Sequence, residues 1–241
     1  MRQTVRFALI LLPLVLAAWA AGGEEAPKPL TMAEAREAVG QALKKKGAEG
    51  LDTTQPYTLE PWKDAALWER LQAQVFRVVQ DRWPRATVLV RKGEVVTLGV
   101  SFGGLGVESL CVADLDGDKQ PELLFTYGWG SGMHRTELGI LRFGKPPLKW
   151  EPLGLVFLHG DLCLERVSDQ AIRVHQAAVR WNEAAKNADG LAVIERGRAL
   201  ATVSYDKGAG RIVIQAAEGL DAQTQKRLAI GLPKPPAERQ P

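Results

Sequence analysis

The sequence of 241 residues predicts an α+β protein in which N-terminal helices precede a mainly antiparallel β domain. Up to about residue 84, apolar residues recur at a helical period, whereas short β-branched runs follow one another from residue 85. Because no helical stretch separates these runs, their strands are expected to pair with antiparallel neighbours, in a sandwich or in a partial propeller-like sheet. We therefore divide the chain into a helical region, 31–84, and a β-rich domain, 85–232.

The N-terminus has the composition of a secretory signal peptide. Basic residues precede an apolar run from Phe7 to about Ala18, and small residues stand at Ala18 and Ala20. A membrane-spanning helix needs about 20 apolar residues, so this run is short for a span, although an uncleaved anchor is the alternative. We predict a signal peptide over 1–20, a flexible leader over 21–30, and a periplasmic or secreted protein with no membrane span after cleavage.

The charge balance excludes one class of partner. The net charge falls from +3 to +1 when residues 1–20 are removed, because this segment carries Arg2 and Arg6 and no acid. A nearly neutral chain lacks the basic surface that nucleic-acid binding requires. The expected partner is an envelope or extracellular component, whose identity the sequence does not indicate.

Two helices are predicted in the region 31–84. Thr31 and Glu34 form a capping box, which begins a helix that ends at about Lys46. Asp64 is a candidate N-cap for a second helix to about Arg82, before Pro84. The buried stripe of this second helix would recur every four residues at Leu67, Leu71, Val75 and Val79.

The β-rich domain is predicted from short β-branched and apolar runs separated by turn residues. A clear turn occupies 206–210, a short helix is predicted over 221–230, and the Pro-rich tail 233–241 is predicted to be disordered. The predicted strands are 86–91, 95–101, 108–113, 122–127, 138–143, 154–158, 162–167, 171–178, 191–195, 199–205 and 211–216.

Two cysteines, Cys111 and Cys163, allow two interpretations. In an oxidising compartment they could form a disulfide, which would stabilise the fold by roughly 4 kcal/mol on the chain-entropy model. The alternative is a pair of buried free thiols.

Residues 114–122 form the most chemically specific segment. Side-chain carboxylates fall at Asp114, Asp116, Asp118 and Glu122, and the main-chain carbonyl of Gln120 could add another oxygen. Acids this dense repel one another unless a cation lies among them, and Ca²⁺ accepts six to eight oxygen ligands in a flexible shell. The positions that an EF-hand reserves for Gly and Glu hold other residues, so the loop is not an EF-hand. A turn without a metal is the alternative.

Residues 112–124 resemble the calcium loop of FG-GAP/VCBS-type repeats, in a single copy. The resemblance implies that the loop joins two adjacent antiparallel strands and binds Ca²⁺ through Asp114, Asp116, Asp118 and Glu122. That family usually has Gly where this chain has Lys119, and Asp where it has Glu122. The segment 125–135 extends the resemblance, because it is similar to exported bacterial proteins of unassigned function, but it implies no activity. The leading hypothesis is an exported, non-catalytic calcium-binding module.

A glycine-rich segment after the predicted strand 122–127 offers a second candidate site. Ser131, His134 and Arg135 could form a small polar site there with Trp129 as a stacking surface, and Asp161 could supply a carboxylate. This set defines the alternative function, a secreted hydrolase. His134, His159 and His175 fall at no spacing typical of a zinc site, and a wide turn-forming loop is the simpler interpretation.

Overall fold

The computed structural model describes residues 28–46, 54–99, 106–130, 133–144, 147–182, 184 and 192–231. The predicted signal peptide 1–20, most of the leader, Ser131 and the tail 233–241 lie outside these residues. The described chain consists mostly of antiparallel strands in three open sheets with few helices. The predicted dominance of antiparallel sheet is therefore confirmed.

The described elements are three helices and thirteen strands. The helices are α1 Met32–Lys46, α2 Ala65–Leu71 and α3 Ala222–Arg227. The strands are β1 Thr58–Pro61, β2 Gln74–Gln80, β3 Trp83–Arg91, β4 Glu94–Leu98, β5 Gly106–Ala113, β6 Glu122–Trp129, β7 Arg135–Leu141, β8 Trp150–Leu158, β9 Asp161–Ser168, β10 Ala171–Trp181, β11 Ala192–Asp206, β12 Arg211–Ala216 and β13 Leu228–Ile230.

Each sheet contains a meander of four consecutive strands. Sheet 1 has the order β1-β2-β3-β4, and sheet 3 has the order β12-β11-β10-β9. Sheet 2 contains β5 to β8 in order, and β13 adds a fifth strand beside β8. The meanders follow from short connections such as the turn between β3 and β4, where Lys92 and Gly93 both adopt positive φ angles.

The prediction that the second helix continues to about Arg82 was wrong, because the helix ends at Leu71. Asp64 does cap α2, because its side chain accepts a hydrogen bond from the Ala66 amide at 3.0 Å, but Gln72 then adopts a left-handed φ of 50° and ends the helix. Residues 74–80 form β2, which pairs with both β1 and β3. The β-branched and aromatic side chains of this segment pack on both faces of a buried strand, and this packing overrides the four-residue period.

Two other boundaries differ from the prediction. Of the predicted runs 191–195 and 199–205, the described residues from Ala192 onward belong to one long strand, β11, whose pairing with β10 is irregular near His175. The helix predicted over 221–230 ends at Arg227, and Leu228–Ile230 pairs with β8 as β13. The other predicted strands of the β-rich domain match observed strands, with small differences at their ends.

Both cysteines are free and buried, so of the two interpretations the structure agrees with the pair of buried free thiols. Burial raises the pKa of the Cys111 thiol to about 11, and burial also raises the pKa of Cys163. Within the described residues, none of the helices has the length and apolar character that a membrane crossing needs.

Candidate functional site

The acidic loop joins β5 to β6, which are adjacent antiparallel strands. Ala113 pairs with Glu122 across the two strands, so residues 114–121 form the connection. Carboxylate oxygens of Asp114, Asp116 and Asp118 all lie within 4.8 Å of one another. The structure therefore brings three of the five predicted ligands to one point.

Backbone amides within the loop hold these three carboxylates in place. Asp114 accepts hydrogen bonds from the amides of Gly117 at 3.0 Å and Lys119 at 3.1 Å. Asp116 accepts from the Asp118 amide at 3.1 Å. Lys119 adopts a φ of 69°, the left-handed conformation in which Gly would be unstrained.

The two remaining predicted ligands have other contacts. Gln120 donates its amide to Asp118 Oδ1 at 2.7 Å and its side-chain nitrogen to Asp118 Oδ2 at 3.4 Å. Glu122 is buried, and its Oε2 accepts from the Leu115 amide at 3.0 Å. Burial raises the pKa of Glu122, with a further contribution from the charge of Asp116. Glu122 thus holds the backbone of the loop at Leu115 and lies outside the group of three aspartates.

The loop has the chemistry of a hard-cation site. Three partly exposed carboxylates meet there, and oxygen ligands of this kind suit Ca²⁺, Mg²⁺ and Mn²⁺. The amide hydrogen bonds satisfy only some of the carboxylate lone pairs. The geometry allows a divalent cation to bind and does not by itself distinguish calcium.

The structure separates the residues of the second candidate site, because Arg135 is the first residue of β7 and lies on a different face from His134. Consecutive side chains in a strand point to opposite faces. Arg135 lies over the ring of Trp129, 3.5 Å from its centroid, and its Nε is 3.0 Å from Glu137 Oε1. Glu137 also accepts hydrogen bonds from Trp129 at 3.1 Å and from the Tyr127 hydroxyl at 2.9 Å. Arg135 is thus held in a network on one face, apart from His134.

His134 instead meets the predicted carboxylate. Its Nε2 lies 2.6 Å from Asp161 Oδ1 at the start of β9, and the two side chains are 35% and 18% exposed. Glu108 is a third ionisable residue in this cluster. One potential ligand atom from each of the three side chains lies within 4.8 Å of the other two. The cluster thus combines segments from sheets 2 and 3.

Glu108 is almost fully buried, at 4% exposure. Its Oε2 accepts from the Leu162 amide at 3.2 Å, and its Oε1 lies 3.3 Å from the Thr136 hydroxyl. Burial raises the pKa of Glu108 well above its usual range, and the charge of Asp161 raises it further. The Thr136 hydroxyl also donates to the Gly160 carbonyl at 2.9 Å, so its oxygen can accept a hydrogen bond from a protonated, neutral Glu108.

Sequence reasoning missed Glu108 as a site residue. The residue is the extra one at a β-bulge in β5, since Val107 pairs with Tyr127 and Ser109 with Thr126. Bulges often redirect a side chain next to a functional site. The available signal was a single acid inside the otherwise uncharged strand 106–113.

Comparisons with protein-family models, with curated proteins and with solved structures found no match. The resemblance of the acidic loop to FG-GAP/VCBS repeats stays a prediction.

Proposed function

We propose that this protein is an exported, non-catalytic β-rich module that binds one Ca²⁺ at the loop between β5 and β6. Asp114, Asp116 and Asp118 are the proposed side-chain ligands. The Gln120 carbonyl and Glu122 complete the proposed set, for which Glu122 would have to turn from Leu115. Export is inferred from the N-terminal segment of the sequence.

The single observation that supports this proposal best is the convergence of three aspartates on a loop that joins two paired strands. Calcium suits such a loop better than magnesium, since Ca²⁺ tolerates irregular coordination whereas Mg²⁺ demands near-octahedral geometry. The left-handed Lys119 and the inward Glu122 favour a weak site, with a Kd of about 10⁻⁴ to 10⁻³ M as in other extracellular modules. Bound calcium would then stabilise the β5–β6 hairpin by mass action.

The first prediction concerns calcium titration of the purified chain. Calorimetry is expected to detect one Ca²⁺ per molecule, and Asp116→Asn is expected to weaken binding about tenfold or more because it removes one carboxylate charge from the group. Asp206→Asn is the matched control: Asp206 accepts two amide hydrogen bonds in a similar turn, at 2.9 and 3.1 Å, and lies outside both carboxylate groups. Equal binding by the two variants, or no heat at several millimolar Ca²⁺, would contradict the proposal.

We also propose that the chain is α+β, with its N-terminal helices packed on the sheets, and that the sheets form an incomplete propeller-like arrangement. Support comes from α1, whose buried Ala35, Val39 and Leu43 pack in one cluster with Phe76 and Val88 of sheet 1. The three successive four-stranded meanders correspond to propeller blades in their strand order.

A secreted hydrolase is the second candidate, favoured by the 2.6 Å contact between His134 and Asp161. An imidazole oriented by a carboxylate can act as a general base. Because Arg135 is engaged by Glu137 on the other face, the reacting set would be His134 and Asp161 with Glu108 beside them.

This alternative predicts esterase or peptidase turnover that His134→Gln reduces about 100-fold or more in kcat/KM. A panel of chromogenic esters and peptides would measure it, with the exposed His159→Asn as the control variant. Turnover that is absent, or that both variants retain equally, would exclude the hydrolase.

A further inference from the structure

Three side chains that carry metal-ligating atoms meet between sheets 2 and 3, although they are far apart in sequence. Glu108 comes from β5, His134 directly precedes β7, and Asp161 begins β9. One ligand atom from each lies within 4.8 Å of the other two. We propose that this cluster binds a divalent first-row transition metal such as zinc, at a site separate from the aspartate loop.

The donor set distinguishes this cluster from the aspartate loop. It offers one imidazole nitrogen and two carboxylate oxygens, whereas the loop offers oxygens alone. Imidazole suits zinc, iron, nickel and copper, whereas carboxylate and carbonyl oxygens alone suit calcium and magnesium. Three protein ligands with a fourth position for water are the pattern of zinc sites that remain open to small molecules.

The backbone around the cluster fixes the ligands before any metal arrives. The His159 amide donates to the His134 carbonyl at 2.8 Å, and the Thr136 hydroxyl to the Gly160 carbonyl at 2.9 Å. These two contacts tie the segment that carries His134 to the turn that precedes Asp161. Glu108 is held by the Leu162 amide at 3.2 Å. Such outer contacts commonly orient metal ligands.

The glycine at position 128 lets the ligands converge, and one of them is open to solvent. A Cβ built on Gly128 would overlap Glu108 Oε1 and lie 3.3 Å from Cε1 of His134, so the glycine leaves the room that the ligands occupy. Glu108 closes the inner side of the cluster, while His134 remains 35% exposed. A hydrated cation can therefore approach from the side of the imidazole.

A second histidine–carboxylate pair shows what the cluster adds. His175 Nε2 lies 2.9 Å from Glu165 Oε2, and its Nδ1 lies 3.0 Å from the Gly197 carbonyl. Within the described part of the chain, no third ligand-bearing side chain joins this pair. The imidazole of His175 is fully used by its two oxygen partners, whereas His134 belongs to a three-ligand group.

The test is a titration of the full chain, freed of metal with a chelator, with Zn²⁺ and with Co²⁺. We expect one ion per molecule in the presence of excess Ca²⁺, and Co²⁺ absorption bands typical of a mixed nitrogen–oxygen site. His134→Gln and Glu108→Gln are each expected to weaken Zn²⁺ binding roughly 100-fold, while Thr136→Val, which changes only an outer contact, weakens it roughly tenfold. The exposed His159→Asn is the matched histidine control, and Asn tolerates the left-handed φ of 53° at that position.

Several outcomes would overturn the proposal. These are the absence of stoichiometric Zn²⁺ binding, binding that His159→Asn removes, and unchanged binding in Glu108→Gln and His134→Gln variants that retain the parent circular dichroism. Zinc binding that Asp116→Asn abolishes would assign the ion to the aspartate loop and refute this site. Because calcium binding is measured separately with Asp116→Asn, either site can fail without affecting the other.

Discussion

Glu108→Gln is expected to be more stable than the parent protein at pH 8, and this difference is expected to close as the pH falls toward 4. Glu108 is nearly fully buried, and burial raises its pKa in the folded state well above the usual value of 4.5. Ionising it in place therefore costs free energy. Glutamine keeps an oxygen for the Leu162 amide and supplies a donor for Thr136, without a charge.

The direction of this effect follows from proton linkage. A carboxyl whose folded-state pKa is raised contributes stability that is fully present below its unfolded pKa and is lost as the pH rises through the folded pKa. Between the unfolded-state and the folded-state pKa of Glu108, the free energy of unfolding of the parent should therefore fall by about 1.4 kcal/mol per pH unit relative to the variant.

Chelator-treated proteins unfolded by urea from pH 4 to pH 8 provide the measurement, so that bound metal does not contribute. Glu218→Gln, at an exposed position, is the control and should follow the parent profile. A Glu108→Gln profile parallel to that of the parent would contradict the prediction, because it would mean that folding does not raise the pKa of Glu108.

Gly128→Ala is expected to destabilise the protein by about 1–3 kcal/mol and to abolish zinc binding. The new methyl group would occupy the position of Glu108 Oε1. The carboxyl group would then have to leave the Leu162 amide, which lies on the edge of β9 that pairs with no other described strand. A buried amide without a partner and a displaced ligand follow from one added carbon atom.

A double-mutant cycle tests this explanation. Glu108→Ala makes space for the new methyl group, so the loss in the double variant should be smaller than the sum of the two single losses. Gly144→Ala is the control, because a Cβ there meets no atom within 4 Å. Additive losses in the cycle would mean that Gly128 matters for a reason other than the Glu108 carboxyl.

The sheet-forming half of the chain was predictable because its local signals agree with its packing. The turn residues and β-branched runs from residue 85 onward identified nearly every strand. Between residues 64 and 82 the local signals conflict: a valid cap at Asp64 and a four-residue apolar period favour helix, whereas the run 74–80 favours strand. Burial of β2 between β1 and β3 decides in favour of the strand, and a single sequence does not reveal that burial.

The two clusters differed in how far sequence could predict them. The aspartate loop is contiguous, so spacing alone indicated that Asp114, Asp116 and Asp118 converge, although Glu122, predicted with them, instead binds the Leu115 amide. The cluster of Glu108, His134 and Asp161 depends on a β-bulge and on the approach of β9 to β5, where the Leu164 amide donates to Ser109 Oγ at 3.0 Å. The sequence indicates His134 and Asp161 individually, whereas Arg135, the first residue of β7, lies with Glu137 on the opposite face of the sheet.

The pairing of β13 with β8 has a consequence for the order in which the protein matures. Leu228–Ile230 follows the other described strands in the chain, so sheet 2 remains one strand short until residue 230 has been made and is free to fold. Arg227 donates to the carbonyls of Leu158 and His159, and the turn that leads to Asp161 lacks this anchor during the same interval. A nascent or truncated chain that ends before Leu228 therefore leaves β8 as a free edge, available for pairing with another molecule.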